Sequence, residues 1–532
     1  MLHVGLPPLT PLHASTPRQL VHSSSLSQSS SSASPLPYSS TVNAANVTSR
    51  VSDCYNGFSL PLPYLHKPPS PSLTLPPFIS LPTFAPMAPP PYPLPSLPFL
   101  LLILTVLGLP RSSSTLMPGF RRQQLETGFQ VGLRHIDAGR NFTKLQLIQR
   151  GINRGRQRLQ RMSGMATTAE RNDFQAPVHV GDGEFVVNLM IGTPPVPFPA
   201  IMDTGSDLIW TQCNPCKLCF QQSTPVFNPK RSSTFSNISC SSKLCKGVKP
   251  SKCDKSCEYR YTYGDESSTE GFMAMDTITF GESPKRVSIP RIGFGCGVNN
   301  RATGMDQTAG LLGLGRGVLS LVSQLGTQKF SYCLTSIHEN KTSSLLFGSL
   351  AYSNFNPGKI PRTPLIQNPL LPSYYYLSLK GITVGYTLLP IPEFAFQLGK
   401  DGSGGMILDS GTTITYLQED AFDVLKNAFI SQTELQVANS STTGLDLCFH
   451  LPVKNAAEVK VPKLIFHFKG LDLALPVENY MVSDPEMGLI CLAIDATGSL
   501  SIFGNIQQQN MLVLHDLKKS TLSLVPTQCD KV

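Results

Sequence analysis

Two stretches of this sequence decide its fold: AIMDTGSDLIW at residues 200–210 and MILDSGTTITYL at residues 406–417. In each, an apolar run typical of a buried strand leads into Asp, a hydroxyl residue and Gly. A single tetrapeptide of this kind is a common turn. Each copy, however, is followed after a similar interval by an apolar pair and Gly, which are Leu311-Leu312-Gly313 and Ile502-Phe503-Gly504. The matching surroundings indicate an internal duplication.

The duplication supplies one carboxylate from each half of the chain, Asp203 and Asp409. If two homologous lobes face each other, these groups can approach across the symmetry axis, where they would share a proton and titrate as a pair. The ionised member can then take a proton from water while the protonated member donates to a scissile carbonyl. The pattern therefore predicts hydrolysis by a carboxylate dyad.

The other motif residues are expected to support the dyad. In each motif the residue after Asp is expected to brace the two loops against each other. The glycine leaves space for substrate, and the following hydroxyl residue is expected to bond the outer carboxylate oxygen. These residues are Thr204, Gly205 and Ser206 in the first motif and Ser410, Gly411 and Thr412 in the second.

Outside the motifs, the chain from about residue 183 consists of short β-type runs separated by Gly and Pro. This texture predicts an all-β architecture, and the duplication predicts two β lobes with a few short helices. One clear helix is predicted over Glu419–Ile430, with Phe422, Leu425 and Phe429 on one face.

Residues 203–219 (DTGSDLIWTQCNPCKLC), together with the second motif, resemble the pepsin-type aspartic proteases, specifically their plant nepenthesin-like branch. The resemblance extends from about residue 183 to the C-terminus. It implies a bilobal pepsin-like fold and an endopeptidase acting on extended polypeptides, without metal or organic cofactor. It also implies a flap tyrosine at Tyr263, followed by Gly264, and a supporting role for Trp210.

Cysteine placement predicts an oxidising compartment, because 12 of the 13 cysteines fall between Cys213 and Cys529. A zinc site at Cys213, Cys216 and Cys219 is disfavoured, since no matching His or Cys completes a quartet. Sequence alone cannot give the connectivity. The resemblance suggests the pairs Cys213–Cys216, Cys219–Cys296, Cys240–Cys257, Cys245–Cys253, Cys333–Cys529 and Cys448–Cys491.

The formal charge of +9 belongs to one segment of the chain. Residues 111–171 hold 12 basic and 3 acidic residues, whereas residues 172–532 hold 28 basic and 30 acidic ones. Nucleic acid is therefore not an expected partner. Residues 120–165 read as a basic amphipathic helix or pair of helices, either simply solvated or acting as a propeptide whose cations cover an acidic cleft.

Five segments are expected. Residues 1–86 are rich in Ser and Pro and predict disorder; they are either an organellar transit peptide or, as we favour, an extension absent from the working protein. Residues 87–114 carry an apolar run at 97–109 that predicts a signal peptide, with an uncleaved anchor as the alternative. The remaining segments are a propeptide at 115–181 and catalytic lobes at 182–360 and 361–532.

The combined expectation is a secreted aspartic endopeptidase, made as a zymogen and active at acid pH. We expect a monomer without stable membrane association, with glycosylation signals at Asn46, Asn141, Asn237, Asn340 and Asn439. One alternative is a catalytically inactive inhibitor of glycosidases with the same fold, against which the intact motifs argue. Another is location in a vacuole or plastid. The Gly-rich GLLGLGRG at 310–317 lacks the ending of a phosphate-binding loop, and its place in the repeat explains it better.

Overall fold

Short apolar runs become β-strands along most of the described chain. The computed structural model describes residues 128–168, 184–248, 251–262, 267–281, 286–301, 305, 307–451 and 459–532. The extension predicted at 1–86 and the signal peptide at 87–114 lie outside these residues. No helix within the described ranges is long and apolar enough to cross a membrane.

The first half of the described chain contains most strands of a large sheet. They are β1 (Phe129–His135), β2 (Phe185–Ile191), β3 (Val196–Asp203), β4 (Trp210–Gln212), β5 (Ser236–Asn237), β6 (Ser251–Cys253), β7 (Cys257–Thr262), β8 (Ser268–Phe280), β9 (Val287–Arg301), β10 (Gly310–Gly313), β11 (Lys329–Cys333) and β12 (Ser343–Phe347).

The second half completes the large sheet and adds two sheets of four strands each. The strands that extend the large sheet are β13 (Thr363–Ile366), β14 (Tyr375–Leu377), β17 (Met406–Leu408), β18 (Thr415–Gln418), β25 (Ile494–Thr497), β26 (Ser501–Phe503), β27 (Met511–Asp516) and β28 (Thr521–Pro526). One small sheet contains β15 (Leu379–Val384), β16 (Thr387–Leu388), β21 (Leu464–Phe468) and β22 (Leu471–Leu475). The other contains β19 (Val437–Ala438), β20 (Cys448–His450), β23 (Met481–Asp484) and β24 (Leu489–Leu492).

The two motif strands occupy equivalent places. Strand β3 ends on Asp203 and lies parallel to β10, and β17 ends one residue before Asp409 and lies parallel to β26. The strand after each motif, β4 or β18, pairs antiparallel with that same partner strand. The apolar-Gly elements therefore flank both motifs, and the predicted two-lobed β fold is confirmed. Strand β11 of the first half pairs with β27 of the second and joins the halves.

The described helices are few. The α-helices are α1 (Lys144–Thr168), α2 (Lys243–Gly247), α3 (Leu321–Leu325) and α4 (Glu419–Gln432), and the 3-10 turns are Pro229–Arg231, Gly348–Tyr352, Glu393–Phe396, Val477–Asn479, Ile506–Gln508 and Cys529–Lys531. Helix α4 confirms the prediction over Glu419–Ile430, and its predicted apolar face is buried. The side chain of Gln418 caps it by accepting a hydrogen bond from Ala421 N.

The basic segment before residue 169 is a strand and a helix, so the expectation of helix throughout is wrong for Phe129–His135. Alternate residues of this run are buried, which is strand periodicity, and β1 fills the gap between β12 and β2. Helix α1 begins at a capping box, in which Thr143 and Gln146 each bond the other's backbone N–H. The apolar residues Leu145, Ile148 and Ile152 of this helix are buried, as expected of an amphipathic helix.

Candidate active site

The two motif loops present their aspartates in the same way. Asp203 and Asp409 are both fully buried. The backbone N–H of Gly205 donates to Asp203 Oδ1 at 2.9 Å, and that of Gly411 donates to Asp409 Oδ1 at 3.0 Å. Each loop therefore turns back on its own carboxylate, and the glycine supplies the donor.

The loops contact each other directly, as predicted, through Thr204 and Ser410. Ser410 N donates to Thr204 Oγ1 at 2.9 Å, Thr204 N donates to Ser410 Oγ at 3.3 Å, and the two hydroxyl oxygens are 3.2 Å apart. Both residues are buried. Because each is the chain neighbour of an aspartate, these bonds bring Asp203 and Asp409 together across the two halves.

The expected bonds to the outer carboxylate oxygens are formed on one side. Thr412 Oγ1 donates to Asp409 Oδ2 at 2.6 Å. Ser206 is also buried, but its hydroxyl has no hydrogen-bond partner among the described residues. The prediction for Ser206 is therefore not met in this structure, where Ser206 contributes its backbone carbonyl to Gly315 N at 2.7 Å instead.

The hairpin expected to form the flap is present up to its tip. Strands β7 and β8 pair antiparallel, and the last described pair is Thr262 with Ser268. Tyr263 and Gly264 lie outside the described residues, so their roles stay predictions. Trp210 is buried, with its ring 6.2 Å from that of Phe220 in an edge-on arrangement.

A second layer supports the Asp409 loop. Gln508 Nε2 donates to the backbone oxygens of Asp409, at 3.3 Å, and of Phe503, at 2.8 Å. Gln508 Oε1 in turn accepts a hydrogen bond from the hydroxyl of Tyr332 at 2.5 Å. Burial raises the pKa of Tyr332 well above its ordinary value, with a contribution from Asp409, so Tyr332 remains a neutral donor.

A third carboxyl group, that of Asp207, lies beside the dyad and was not predicted from the sequence. Gly317 N donates to Asp207 Oδ1 at 2.9 Å, and Ser373 Oγ donates to Asp207 Oδ2. Burial raises the pKa of Asp207, the charge of Asp203 raises it further, and the bonds from Ser373 and Gly317 oppose the shift. Asp207 could have been identified from its position, because it is an ionisable residue directly after Asp-Thr-Gly-Ser.

Glu184 was also missed. It is buried beside the second motif loop, where it accepts hydrogen bonds from Thr413 Oγ1 at 2.9 Å and Asn505 Nδ2 at 2.8 Å. Asn505 Nδ2 lies 3.2 Å from the Ser410 carbonyl oxygen. On its other side Glu184 binds Arg154 of helix α1 at 3.3 Å. The basic N-terminal segment is therefore anchored directly behind the Asp409 loop.

The twelve clustered cysteines form six disulfides, which leaves no thiolate among them for zinc. Two predicted pairs are confirmed, Cys333–Cys529 and Cys448–Cys491. The four predicted pairings in the first half are wrong. The observed bonds there are Cys213–Cys296, Cys216–Cys219, Cys240–Cys253 and Cys245–Cys257.

The physical reason for these differences is local geometry. Cys213 directly follows β4, which runs parallel to the part of β9 that carries Cys296. The other four cysteines of the first half that changed partners, Cys240, Cys245, Cys253 and Cys257, are crowded together. Cys245 Sγ is only 3.8 Å from Cys253 Sγ, to which it is not bonded. Side-chain direction decides the partner in such a cluster, and spacing along the chain does not.

The known proteins that resemble this chain include plant aspartic proteinases. Family models described as "Xylanase inhibitor N-terminal" and "Xylanase inhibitor C-terminal" match residues 185–349 and 374–526. Aspartic proteinase nepenthesin-1 of Nepenthes gracilis is 50% identical over 421 residues, which is 79% of this chain and 94% of the relative. Nepenthesin-2 of the same species is 46% identical, over 81% of this chain and 97% of the relative. Aspartyl protease family protein 2 of Arabidopsis thaliana is 38% identical, over 75% and 85%.

Solved structures support the fold. The crystal structure of edgp aligns with a TM-score of 0.54 at 20% identity and covers 65% of this chain and 92% of that one. Basic 7S globulin from soybean aligns with a TM-score of 0.51 at 19% identity, over 65% and 93%.

Proposed function

Because the chain belongs to the plant aspartic proteinases related to the nepenthesins, and is an aspartic endopeptidase, we propose that it is a secreted zymogen whose N-terminal segment is released at acid pH. The observation that carries this proposal is that β1 and helix α1 are built into the catalytic unit.

In the reaction, the ionised member of the Asp203–Asp409 pair takes a proton from water. The protonated member donates to the carbonyl oxygen of the scissile peptide bond.

The N-terminal segment is held by burial and charge together. Strand β1 contributes Phe129, whose ring stacks on Phe347 at 4.8 Å. Helix α1 contributes Arg154, which pairs with Glu184 of the catalytic unit at 3.3 Å. These contacts fix the segment beside the Asp409 loop, and they support a zymogen in which release of the segment acts on this loop.

Two groups in the segment respond to acid, and His135 makes its attachment weaker. Burial lowers the pKa of His135 below 6.5, against the opposing effect of Glu184. The attached segment therefore binds this proton less readily than the released one, so attachment weakens as pH falls below 6.5. Burial opposes ionisation of Asp137, but Arg150 and Arg154 of the same segment outweigh it and hold its pKa below 3.8. Asp137 therefore stabilises the folded segment itself above pH 3.8, and this contribution is lost as pH falls through its lowered pKa.

Secretion and glycosylation are supported by two features of the described surface. Six disulfides require an oxidising compartment to form. The four glycosylation signals within the described ranges, Asn141, Asn237, Asn340 and Asn439, are all exposed. A vacuole would satisfy acid activation as well, and sequencing the mature N-terminus of the purified protein distinguishes the two compartments.

The descriptions of the family models favour a second candidate, an inhibitor of xylanases. Such a protein needs no dyad. Here both aspartates, their glycine donors and the Thr204–Ser410 contact are in place, and these features favour the enzyme.

The test is cleavage of a denatured protein by the full chain between about pH 3 and pH 5, with pepstatin and with Asp203→Asn and Asp409→Asn as controls. We expect activity that both substitutions and the inhibitor abolish, together with loss of the N-terminal segment. No cleavage by a correctly folded chain lacking its segment would favour the inhibitor, whose test is xylanase binding. Full activity at neutral pH with the segment attached would refute the zymogen.

A further inference from the structure

The residue four positions after each catalytic aspartate bonds to the opposite half of the chain. Asp207 follows Asp203 and accepts a hydrogen bond from the hydroxyl of Ser373. Thr413 follows Asp409, and its hydroxyl donates to Glu184 Oε1 at 2.9 Å. Each contact is an acid–hydroxyl pair with the acid in the first half and the hydroxyl in the second, so the first catalytic loop carries the acid and the second carries the hydroxyl.

The partners of the two loops also hold equivalent places in the fold. Glu184 directly precedes β2, which pairs antiparallel with the catalytic strand β3. Ser373 lies two residues before β14, which pairs antiparallel with the catalytic strand β17. Each catalytic loop is therefore bonded to the start of the strand beside the other one. Repetition of this contact in both halves indicates a role in aligning the loops.

The loop after β10 is built around the carboxylate of Asp207. The N–H of Gly317 donates to Oδ1, and a Cβ at Gly315 or Gly317 would collide with the carboxylate oxygens. The same loop bonds the motif itself, since Leu314 N donates to Asp203 O at 2.8 Å. The glycines of GLGRG thus leave room for Asp207, and the loop connects its carboxylate to the backbone of Asp203.

We propose that Asp207 is a positioning residue for Asp203, which it holds in alignment with the second catalytic loop through Ser373 and Gly317. Displacing a catalytic group by about 1 Å can lower the rate about 100-fold. Because the Asp207 carboxylate is buried and already bonded to Ser373 and Gly317, we expect it to make no contact with substrate, so the loss should fall on kcat and leave KM nearly unchanged. The inference rests on the endopeptidase function and holds whether or not the chain is a zymogen.

The test compares Asp207→Ala with the isosteric Asp207→Asn and with a matched control, Asp276→Ala. Asp276 is also buried and likewise accepts one hydroxyl bond, from Thr234, and one backbone bond, from Thr277 N. Each full-length variant is brought to acid pH, and active sites are titrated with pepstatin. The kcat per titrated site separates a misplaced dyad from a smaller folded fraction, because misfolding lowers the number of sites and not the rate at each.

We expect Asp207→Ala to lower kcat per site by about 10- to 100-fold with KM within about twofold. Asp207→Asn, which keeps an acceptor for Gly317 and a donor for Ser373, should retain most of the rate, and Asp276→Ala should keep all of it. Wild-type kcat per site in Asp207→Ala would overturn the proposal. So would an Asn variant as slow as the Ala variant, or an equal loss in the Asp276 control.

A milder variant covers the case in which Asp207→Ala does not fold. Ser373→Ala removes one of the two bonds and should lower kcat per site by a smaller factor, again with KM nearly unchanged. An unchanged kcat in Ser373→Ala would overturn the proposal. A wild-type chain that cleaves nothing would overturn the proposed function and this inference together, whereas normal wild-type cleavage beside an unaffected Asp207→Ala overturns the inference alone.

Discussion

Gly151 is the position at which helix α1 packs on the second catalytic loop. A Cβ there would lie less than 3.0 Å from Glu184 Oε1 and from Thr413, including 2.7 Å from Thr413 Cγ2, whereas ordinary Cβ contacts begin at 3.4 Å. Gly151→Ala therefore forces the helix or the loop to move by roughly 1 Å. Both partners are buried and hydrogen-bonded to each other, so neither can turn away without losing that bond.

The expected cost follows from these contacts. Overpacking a buried contact costs about 1–3 kcal/mol, and loss of the Thr413–Glu184 bond costs about 1 kcal/mol more. Replacing Gly by Ala within a helix stabilises the helix by about 1 kcal/mol through its higher helix propensity, which offsets part of this cost. The net effect should weaken attachment of the segment by about 1–3 kcal/mol, which raises the released fraction roughly 5- to 150-fold.

Gly155 supplies the matched control. It stands one turn later on the same helix, and a Cβ there meets nothing within 4 Å. Gly155→Ala should therefore show only the gain in helix propensity, about 1 kcal/mol, and should reduce the released fraction. The same substitution at two positions of one helix is thus predicted to act in opposite directions.

The assay uses the full chain carrying Asp203→Asn, so that it cannot process itself. Trypsin is added near neutral pH, where it can cut the Arg-rich helix only when the segment opens, and the cleavage rate reports the open fraction when reclosing is fast. Gly151→Ala should be cut faster than the parent and Gly155→Ala more slowly. Equal rates for the two variants, or faster cutting of Gly155→Ala, would refute the steric argument.

Two further predictions concern pH and covalent stability. His135→Gln removes a group whose protonation disfavours attachment, so the midpoint of acid self-processing should shift to lower pH; an upward shift would contradict the sign derived from the lowered pKa of His135. Replacing Cys333 and Cys529 by Ser should cost about 5 kcal/mol and replacing Cys448 and Cys491 about 4 kcal/mol, because the closed loops span 196 and 43 residues. Urea unfolding under non-reducing conditions measures both, and the reverse order would contradict loop entropy as the main term.

The duplication could be predicted because each of its repeated elements is a short local sequence pattern. An apolar strand that ends in Asp and Gly, and an apolar pair followed by Gly, are each visible within a few residues. The fold then places the second element parallel to the first, as with β10 beside β3. Helix α4 was predictable for the same reason, since its spacing of Phe422, Leu425 and Phe429 marks a buried face.

The features that escaped prediction depend on contacts between distant parts of the chain. The Asp207–Ser373 pair joins residues 166 apart, and the Thr413–Glu184 pair joins residues 229 apart. Strand β1 was not predicted because the arginines that follow it suggested one basic helical segment, although its own alternation of buried and exposed residues is regular. Disulfide partners in the first half depend on side-chain directions within a crowded cluster. In each case the deciding information lies in the tertiary structure.

The two acid–hydroxyl pairs differ in what surrounds them, and this difference bears on activation. The carboxylate of Asp207 is bonded to Ser373 and Gly317, both within the catalytic unit. That of Glu184 also binds Arg154, at 3.3 Å, which belongs to the N-terminal segment. Release of the segment would leave the first pair intact and withdraw a cation from the second. If both pairs align the dyad, the Asp203 loop is already set in the precursor and the Asp409 loop responds to release. Gly151→Ala displaces the second pair while the segment is still present, so its effect on the Asp409 loop can be measured separately from release.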